Sequence, residues 1–263
     1  MQGDAAESGI ELAEVAERAA RAAGAVALEG FRGPLEIRSK GGTDIVTQYD
    51  NMAEEAALSI IHAAFPGDRT LGEESGPGAS EGGARGSPTA RLWAVDPIDG
   101  THNYAAQIPF WCSSVGVADA QGRILAAAVY DALHDELFTA TLSGGAFLNG
   151  SQMRVSSVEF LEDAFLVTDI GYEATVASRM MALGPYVQPR IKRLRLLGSA
   201  VLALCYVAAG RVDGYYHLSL QPWDLAASSL LITEAGGIIT GWTGDPISTD
   251  QGSAVAASAH LQP

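Results

Sequence analysis

The chain has 263 residues, 48% of them hydrophobic and 18% charged, enough for one large or two intimate units with a full core. A net charge of −15 argues against nucleic acid or an anionic membrane as a main partner, though not against a phosphate ester, because bound cations reverse the local field. No run of 18 apolar residues is present, and the first twenty residues lack the cationic start and apolar stretch of a signal peptide, so a cytoplasmic, membrane-free protein is expected.

Leu12, Val15, Ala16, Ala19, Ala22, Ala23 and Val26 fall on one stripe, which predicts an amphipathic helix over 8–29. A second helix is predicted over 51–65, with Met52, Ala56, Ile60 and Ala53, Ala57, Ile61 as its inward rows and Pro66-Gly67 as its stop. Residues 76–90 hold nothing apolar larger than Ala or Pro and read as a surface loop, an idle insertion rather than a lid. Strands are expected near 113–118, 124–130 and 136–141, spaced as an antiparallel meander, with another between Gly144-Gly145 and Asn149-Gly150. The remainder alternates: strand near 165–169, helix near 175–184, strand near 191–196, helix at 199–209, strand at 212–217, helix at 224–235, then strands near 237–241 and 253–257. This predicts an α+β half over 1–155 packed on an α/β half over 156–263, as a single unit without internal repeat or separating linker. Cys112 and Cys205 form no CxxC pattern and read as reduced core thiols.

The chemistry concentrates in Trp93-Ala94-Val95-Asp96-Pro97-Ile98-Asp99-Gly100-Thr101. An apolar run reads as a buried strand, and the turn after it sets Asp96 and Asp99 side by side at the sheet's edge. Two close carboxylates repel, so ionising both favours a cation between them, and oxygen-only donors suit Mg2+ or Mn2+ rather than zinc. The bland alternative is a plain Asp-Pro-x-Asp-Gly turn. Further acids stand in Gly72-Glu73-Glu74-Ser75-Gly76, Gln221-Pro222-Trp223-Asp224 and Asp44-Ile45-Val46-Thr47-Gln48-Tyr49-Asp50. Taken alone, Asp50 and Asp224 each read as a helix N-cap, Thr47 as a strand residue, Glu73 as a solvated loop charge and Glu74 as an exposed carboxylate. His62, His134 and His260 lie in unrelated segments and read as solvent or core residues. Neither GxGxxG nor GxxxxGK occurs, which disfavours a nucleotide-binding loop.

The Glu-Glu loop, Asp-Pro-Ile-Asp-Gly-Thr, Trp223-Asp224-Leu225-Ala226 and Glu234-Ala235-Gly236-Gly237, in this order, resemble the inositol monophosphatase family of Mg2+-dependent, lithium-sensitive phosphomonoesterases, from about Lys40 to about Ala257. The resemblance implies a layered αβαβα sandwich and a homodimer. Because the chain ends just after the last expected strand, the family's further C-terminal helix is expected to be shortened. By resemblance, Glu73 and Asp96, with the Ile98 carbonyl, hold one Mg2+. Asp96 bridges to a second, completed by Asp99 and Asp224, and a third sits near Glu73. Thr101 and Asp50 orient the attacking water, Gly100 and Thr101 offer N–H groups to the phosphate, and Lys40 supports the metal-site loop, with Glu74 open. Gly198-Ser199-Ala200 resembles a turn lining the substrate pocket. His217, seven residues before Asp224, stands where inositol phosphatases carry a Glu that bonds substrate hydroxyls. Neutral, it can still read a hydroxyl; protonated, it would favour an anionic group. The implied substrate is inositol monophosphate, with histidinol phosphate, fructose-1,6-bisphosphate and 3′-phosphoadenosine nucleotides as alternatives. Some relatives are instead regulatory binding proteins.

Overall fold

The computed structural model describes residues 2–78, 90–247 and 252–261, with side chains from residue 9 onward. The chain opens with α1 (Gln2–Gly30), the hairpin β1 (Arg38–Gly41) and β2 (Asp44–Val46), α2 (Gln48–Ala64), β3 (Arg69–Gly72) and β4 (Gly76–Gly78). Next come β5 (Leu92–Asp99), the short α3 (Thr101–Ala105) and the meander β6 (Cys112–Ala118), β7 (Ile124–Asp131), β8 (Glu136–Thr141), β9 (Gly145–Leu148) and β10 (Ser151–Gln152). The last part is β11 (Phe165–Thr168), α4 (Ala174–Val187), β12 (Arg193–Leu196), α5 (Ala200–Ala208), β13 (Gly214–Leu220), α6 (Pro222–Glu234), β14 (Gly237–Thr240) and β15 (Gly252–Ser258).

Eight strands form one sheet in the order β10-β9-β8-β7-β6-β5-β3-β4, antiparallel except for the parallel β3–β5 pair. Five form a second, β12-β11-β13-β15-β14, parallel through β13 and antiparallel beyond it. The layering follows from alternation along β5 and β6. Trp93, Val95, Val115 and Val117 point to one face and pack with Leu12, Val15 and Ile61 of α1 and α2. The opposite face meets α5 and α6, whose Leu204, Leu225 and Leu231 fill the core shared with the five-stranded sheet, while α4 contacts that sheet through β13. The result is a layered αβαβα sandwich.

The stripe on α1 is the predicted one, shifted to Leu12, Val15, Ala16, Ala19, Ala20, Ala23 and Ala27. On α2 the Ala53, Ala57 and Ile61 row is fully buried; of the second expected row, Met52 is 49% exposed, contrary to expectation, while Ala56 and Ile60 are half-buried and Ile60 packs against the core. Met52 lies in the first turn, beyond the reach of α1 and β5, so the second row is covered only toward the helix's C-terminal end. Cys112 and Cys205 are both buried free thiols, as read from the sequence. Most of the predicted 76–90 loop lies outside the described residues, and 76–78 form β4. Among the described residues no helix is long and apolar enough to cross a membrane.

Where β6 meets α6, Gly116 lets the backbones touch: a Cβ there would lie 2.8 Å from the Ala227 nitrogen and 2.9 Å from the Ala226 carbonyl carbon. Neither atom can yield without moving the helix that carries Asp224. Gly116→Ala is therefore expected to cost about 1–3 kcal/mol of stability, read as a lowered melting temperature.

Candidate active site

In a regular strand, residues three apart point to opposite faces. Asp96 pairs with Ser114 and Asp99 with Cys112, so β5 takes three residue steps where β6 takes two. This bulge falls on Pro97-Ile98, where proline has no N–H for the ladder, and the Pro97 carbonyl accepts instead from the Ser113 hydroxyl at 2.6 Å. The extra residue returns Asp99 to the side of Asp96. The pair therefore sits at the C-terminal end of an inner strand, not on a sheet edge as the sequence reading had it.

Asp224 joins them from the first turn of α6, and ligand oxygens of Asp96, Asp99 and Asp224 lie within 4.8 Å of one another. Asp224 is not the N-cap but the third helical residue: its Oδ2 accepts from the Gln221 N–H at 2.7 Å, closing a capping box. Asp50 occupies the same place on α2, with Thr47 as N-cap rather than a strand residue. Its Oδ2 accepts from the Thr47 N–H at 2.8 Å and hydroxyl at 2.6 Å, and its Oδ1 from the Thr101 hydroxyl at 3.0 Å. In both helices the capping bond fixes the carboxyl group at the helix start.

Asp99 sits against the N-terminus of α5. Its oxygens accept from the N–H groups of Ala200 (3.2 Å), Val201 (2.8 Å) and Leu202 (3.4 Å) and from the Ser199 hydroxyl. Burial raises its pKa to about 6, and these donors limit the rise. Asp96 has no such support: 2% exposed, with Oδ1 lacking any donor, it is pushed well above the ordinary range by burial and the charges of Glu73, Asp99 and Asp224. Asp224 is raised likewise by burial and by Asp99, and Glu73 by burial against the pull of Lys40. Carboxylates crowded together in this way repel one another, a repulsion that a divalent cation relieves, and their oxygen-only donors fit Mg2+.

Glu73 is outside the trio. Its Oε1 accepts from Lys40 Nζ at 2.8 Å, and Glu74 Oε1 accepts from the same ammonium at 2.6 Å. Glu74 is thus an ion-pair partner with a largely covered side chain, not an exposed carboxylate. The two acids hold the Lys40 ammonium well above its usual range against the opposing effect of burial. Sequence reasoning missed Glu54, buried on α2, whose oxygens accept from the Glu74 and Ser75 N–H groups at 2.8 and 2.9 Å and so fix the Glu-Glu loop. It also missed Asn103, which donates to the Phe110 and Leu197 carbonyls at 2.8 and 2.7 Å and anchors the turn at Gly198. No pattern in the sequence marks either residue.

A cleft of about 350 Å³ is lined by Lys40, Glu73, Asp96, Ile98, Gly100 and Thr101 together with Asp99 and Asp224. Gly100, at φ 98°, precedes α3, whose start has no side-chain cap, and it lies so close to the Gly198 carbonyl that a Cβ would come within 3.0 Å. Beside it opens a cavity of about 570 Å³ that shares Asp99 and Asp224 and is lined by Gly198, Tyr172, Tyr215 and His217. Ser199 does not line it: its hydroxyl is committed to Asp99, which corrects its reading as a substrate contact. His102 stacks on Tyr172 and reaches the Thr43 carbonyl at 2.9 Å. Of the histidines set aside earlier, His134 pairs with Asp131 at 2.8 Å and His62 lies by a separate pocket with Glu54 and Glu74.

The sequence is 38% identical over 207 residues to an inositol monophosphatase of Dictyostelium discoideum, covering 78% of this chain and 74% of that one. It is equally 38% identical over 233 residues to Nus factor SuhB of Escherichia coli K12, covering 88% and 85%. The crystal structure of extragenic suppressor protein suhB from Bartonella henselae superposes with a TM-score of 0.84 at 34% identity, over 92% of each chain. Residues 10–263 match the model of the inositol monophosphatase family, and the chain belongs to that family of phosphoric monoester hydrolases.

Proposed function

We propose that the protein hydrolyses a small phosphate monoester, inositol monophosphate foremost, with Mg2+ as cofactor and Mn2+ as its substitute. The observation that carries this reading is the trio of buried Asp96 and Asp99 with half-buried Asp224, together with the partnerless Oδ1 of Asp96. These residues, with Glu73 and the Ile98 carbonyl, would hold two ions. A third beside Glu73 would have to displace the Lys40 ammonium, so two is the number we take as resident. When bound, the ions polarise the phosphoryl group and make a water nucleophilic at neutral pH.

The chain's own groups supply the rest. Thr101 donates its hydroxyl proton to Asp50, which leaves its oxygen free to accept from the attacking water. Asp50, raised by burial against its bonds to Thr47 and Thr101, is the base to which the proton passes along that hydroxyl. Gly100 and Thr101 present N–H groups to the phosphate at the uncapped start of α3. The alcohol lies in the larger cavity, against Gly198 and His217.

Histidinol phosphate, fructose-1,6-bisphosphate and 3′-phosphoadenosine nucleotides are the competing substrates of the same chemistry. A regulatory binding role is favoured only by the relative named a Nus factor, and the complete acid set argues for turnover. We take the assembly to be a homodimer, and lithium inhibition is expected with it. The deciding experiment is a panel of these phosphomonoesters assayed with Mg2+. Turnover of at least one is expected, and a folded protein that hydrolyses none would favour the binding role.

A further inference from the structure

The β1–β2 hairpin forms a two-stranded sheet of its own, joined to neither larger sheet, and every residue of β1 is exposed. Such a hairpin is only marginally stable by itself. At its tip Gly41 and Gly42 take φ of 127° and 57°, and a Cβ on either would meet nothing within 4 Å. Yet this tip covers the site. Lys40 and Asp44 line the metal cleft, while Gly41, Gly42, Thr43 and Asp44 line the larger cavity.

The tip is tied to the body of the molecule where Thr43, His102 and Tyr172 meet. His102 Nε2 lies 2.9 Å from the Thr43 carbonyl, which can only accept, so the ring proton sits on Nε2. The Thr43 hydroxyl in turn donates to the Tyr172 carbonyl at 3.0 Å. The His102 and Tyr172 rings stack, with centroids 5.1 Å apart and planes at 24°. Both anchors are fixed from behind. His102 stands on α3 beside Asn103, whose amide donates to the Phe110 and Leu197 carbonyls. Gly171, at φ 73°, seats the Tyr172 loop so close to His217 that a Cβ would lie 3.3 Å from the imidazole.

Resting on the phosphatase reading above, we propose that His102 is a positioning residue: through the Thr43 carbonyl and the Tyr172 ring it latches the β1–β2 hairpin over the bound ester. His102 itself lines neither the cleft nor the cavity. Its effect passes through the hairpin, which holds Lys40 and Asp44 at the walls of the site. A latched hairpin meets the ester in ground and transition state alike, so the latch acts on KM more than on kcat.

The test joins amide hydrogen exchange to kinetics with Mg2+. His102→Ala removes both the hydrogen bond and the stack. Exchange over residues 38–46 is expected to quicken at least about fivefold while that of β6 is unchanged. For the best ester of the substrate panel, KM is expected to rise by about fivefold or more, with kcat within about twofold of the parent. His102→Phe keeps a stacking ring without the donor, and His102→Gln keeps a donor without the ring. Both are expected to fall between the parent and His102→Ala. Unchanged exchange over 38–46, exchange quickened equally in β6, or an unchanged KM overturns the proposal while the phosphatase reading stands. If no ester is hydrolysed, that reading fails, and calorimetric binding of inorganic phosphate to the Mg2+-loaded protein takes the place of KM. Equal phosphate affinity in the parent and His102→Ala then overturns the latch.

Discussion

Asp96→Asn is expected to lower kcat by about a thousandfold or more while leaving the fold intact. The substitution keeps volume and shape, so the packing at the end of β5 is undisturbed. What changes is charge at a residue that is 2% exposed and assigned to both ions. Without metal, the wild-type carboxyl is destabilised by burial and by three neighbouring acids, so a neutral amide there removes repulsion. The metal-free variant should therefore melt no lower than the metal-free parent, and only the parent should gain stability from Mg2+. That pairing separates loss of function from loss of fold. A variant that keeps kcat within about tenfold of the parent would show that Asp96 does not bridge the ions.

The second large effect concerns stability against pH. In the folded chain burial pushes Asp99 up to about 6 and Glu74 up to about 7, and raises Asp96 and Asp224 as well. Unfolded, these groups titrate near ordinary carboxylate values. Between those limits the folded chain binds more protons than the unfolded one, so stability falls as pH rises. The contribution is fully present below the unfolded pKa and lost as pH passes through the folded values. The metal-free protein is therefore expected to melt at a lower temperature at pH 8 than at pH 5.5. Mg2+ replaces the missing protons as counter-charge, so its stabilisation should be greater at pH 8. Melting curves with EDTA and with Mg2+ at both pH values check this. A metal-free melting temperature indifferent to pH, or a Mg2+ shift larger at pH 5.5, would contradict it.

The parts of this site legible in the sequence are those written in short contiguous motifs. Asp96-Pro97-Ile98-Asp99 announces itself because proline, the bulge and both acids lie within four residues. The meander was legible through its alternation and Gly-containing turns, and α5 through its unbroken apolar run. The hairpin of β1 and β2 was not, since its residues are charged, glycine-rich and mostly exposed, so no periodicity marks it. Nor were Asp50 and Asp224 separable from N-caps by sequence, because a capping-box acid three residues into a helix and an N-cap acid differ only in where the helix begins. Ser199 reads as a pocket residue from its neighbours, whereas only the approach of β5 to α5 reveals that Asp99 claims its hydroxyl. Glu54 looks like any surface glutamate until the fold lays β3 over it.

If Asp96, Asp99 and Asp224 hold the divalent ions that phosphate release needs, activity follows the metal in a single titration. Phosphate release from a phosphomonoester accepted in the substrate panel is followed in excess EDTA and then with increasing Mg2+. The expected result is no turnover in EDTA and full recovery on adding Mg2+. Full activity in metal-free buffer would contradict it.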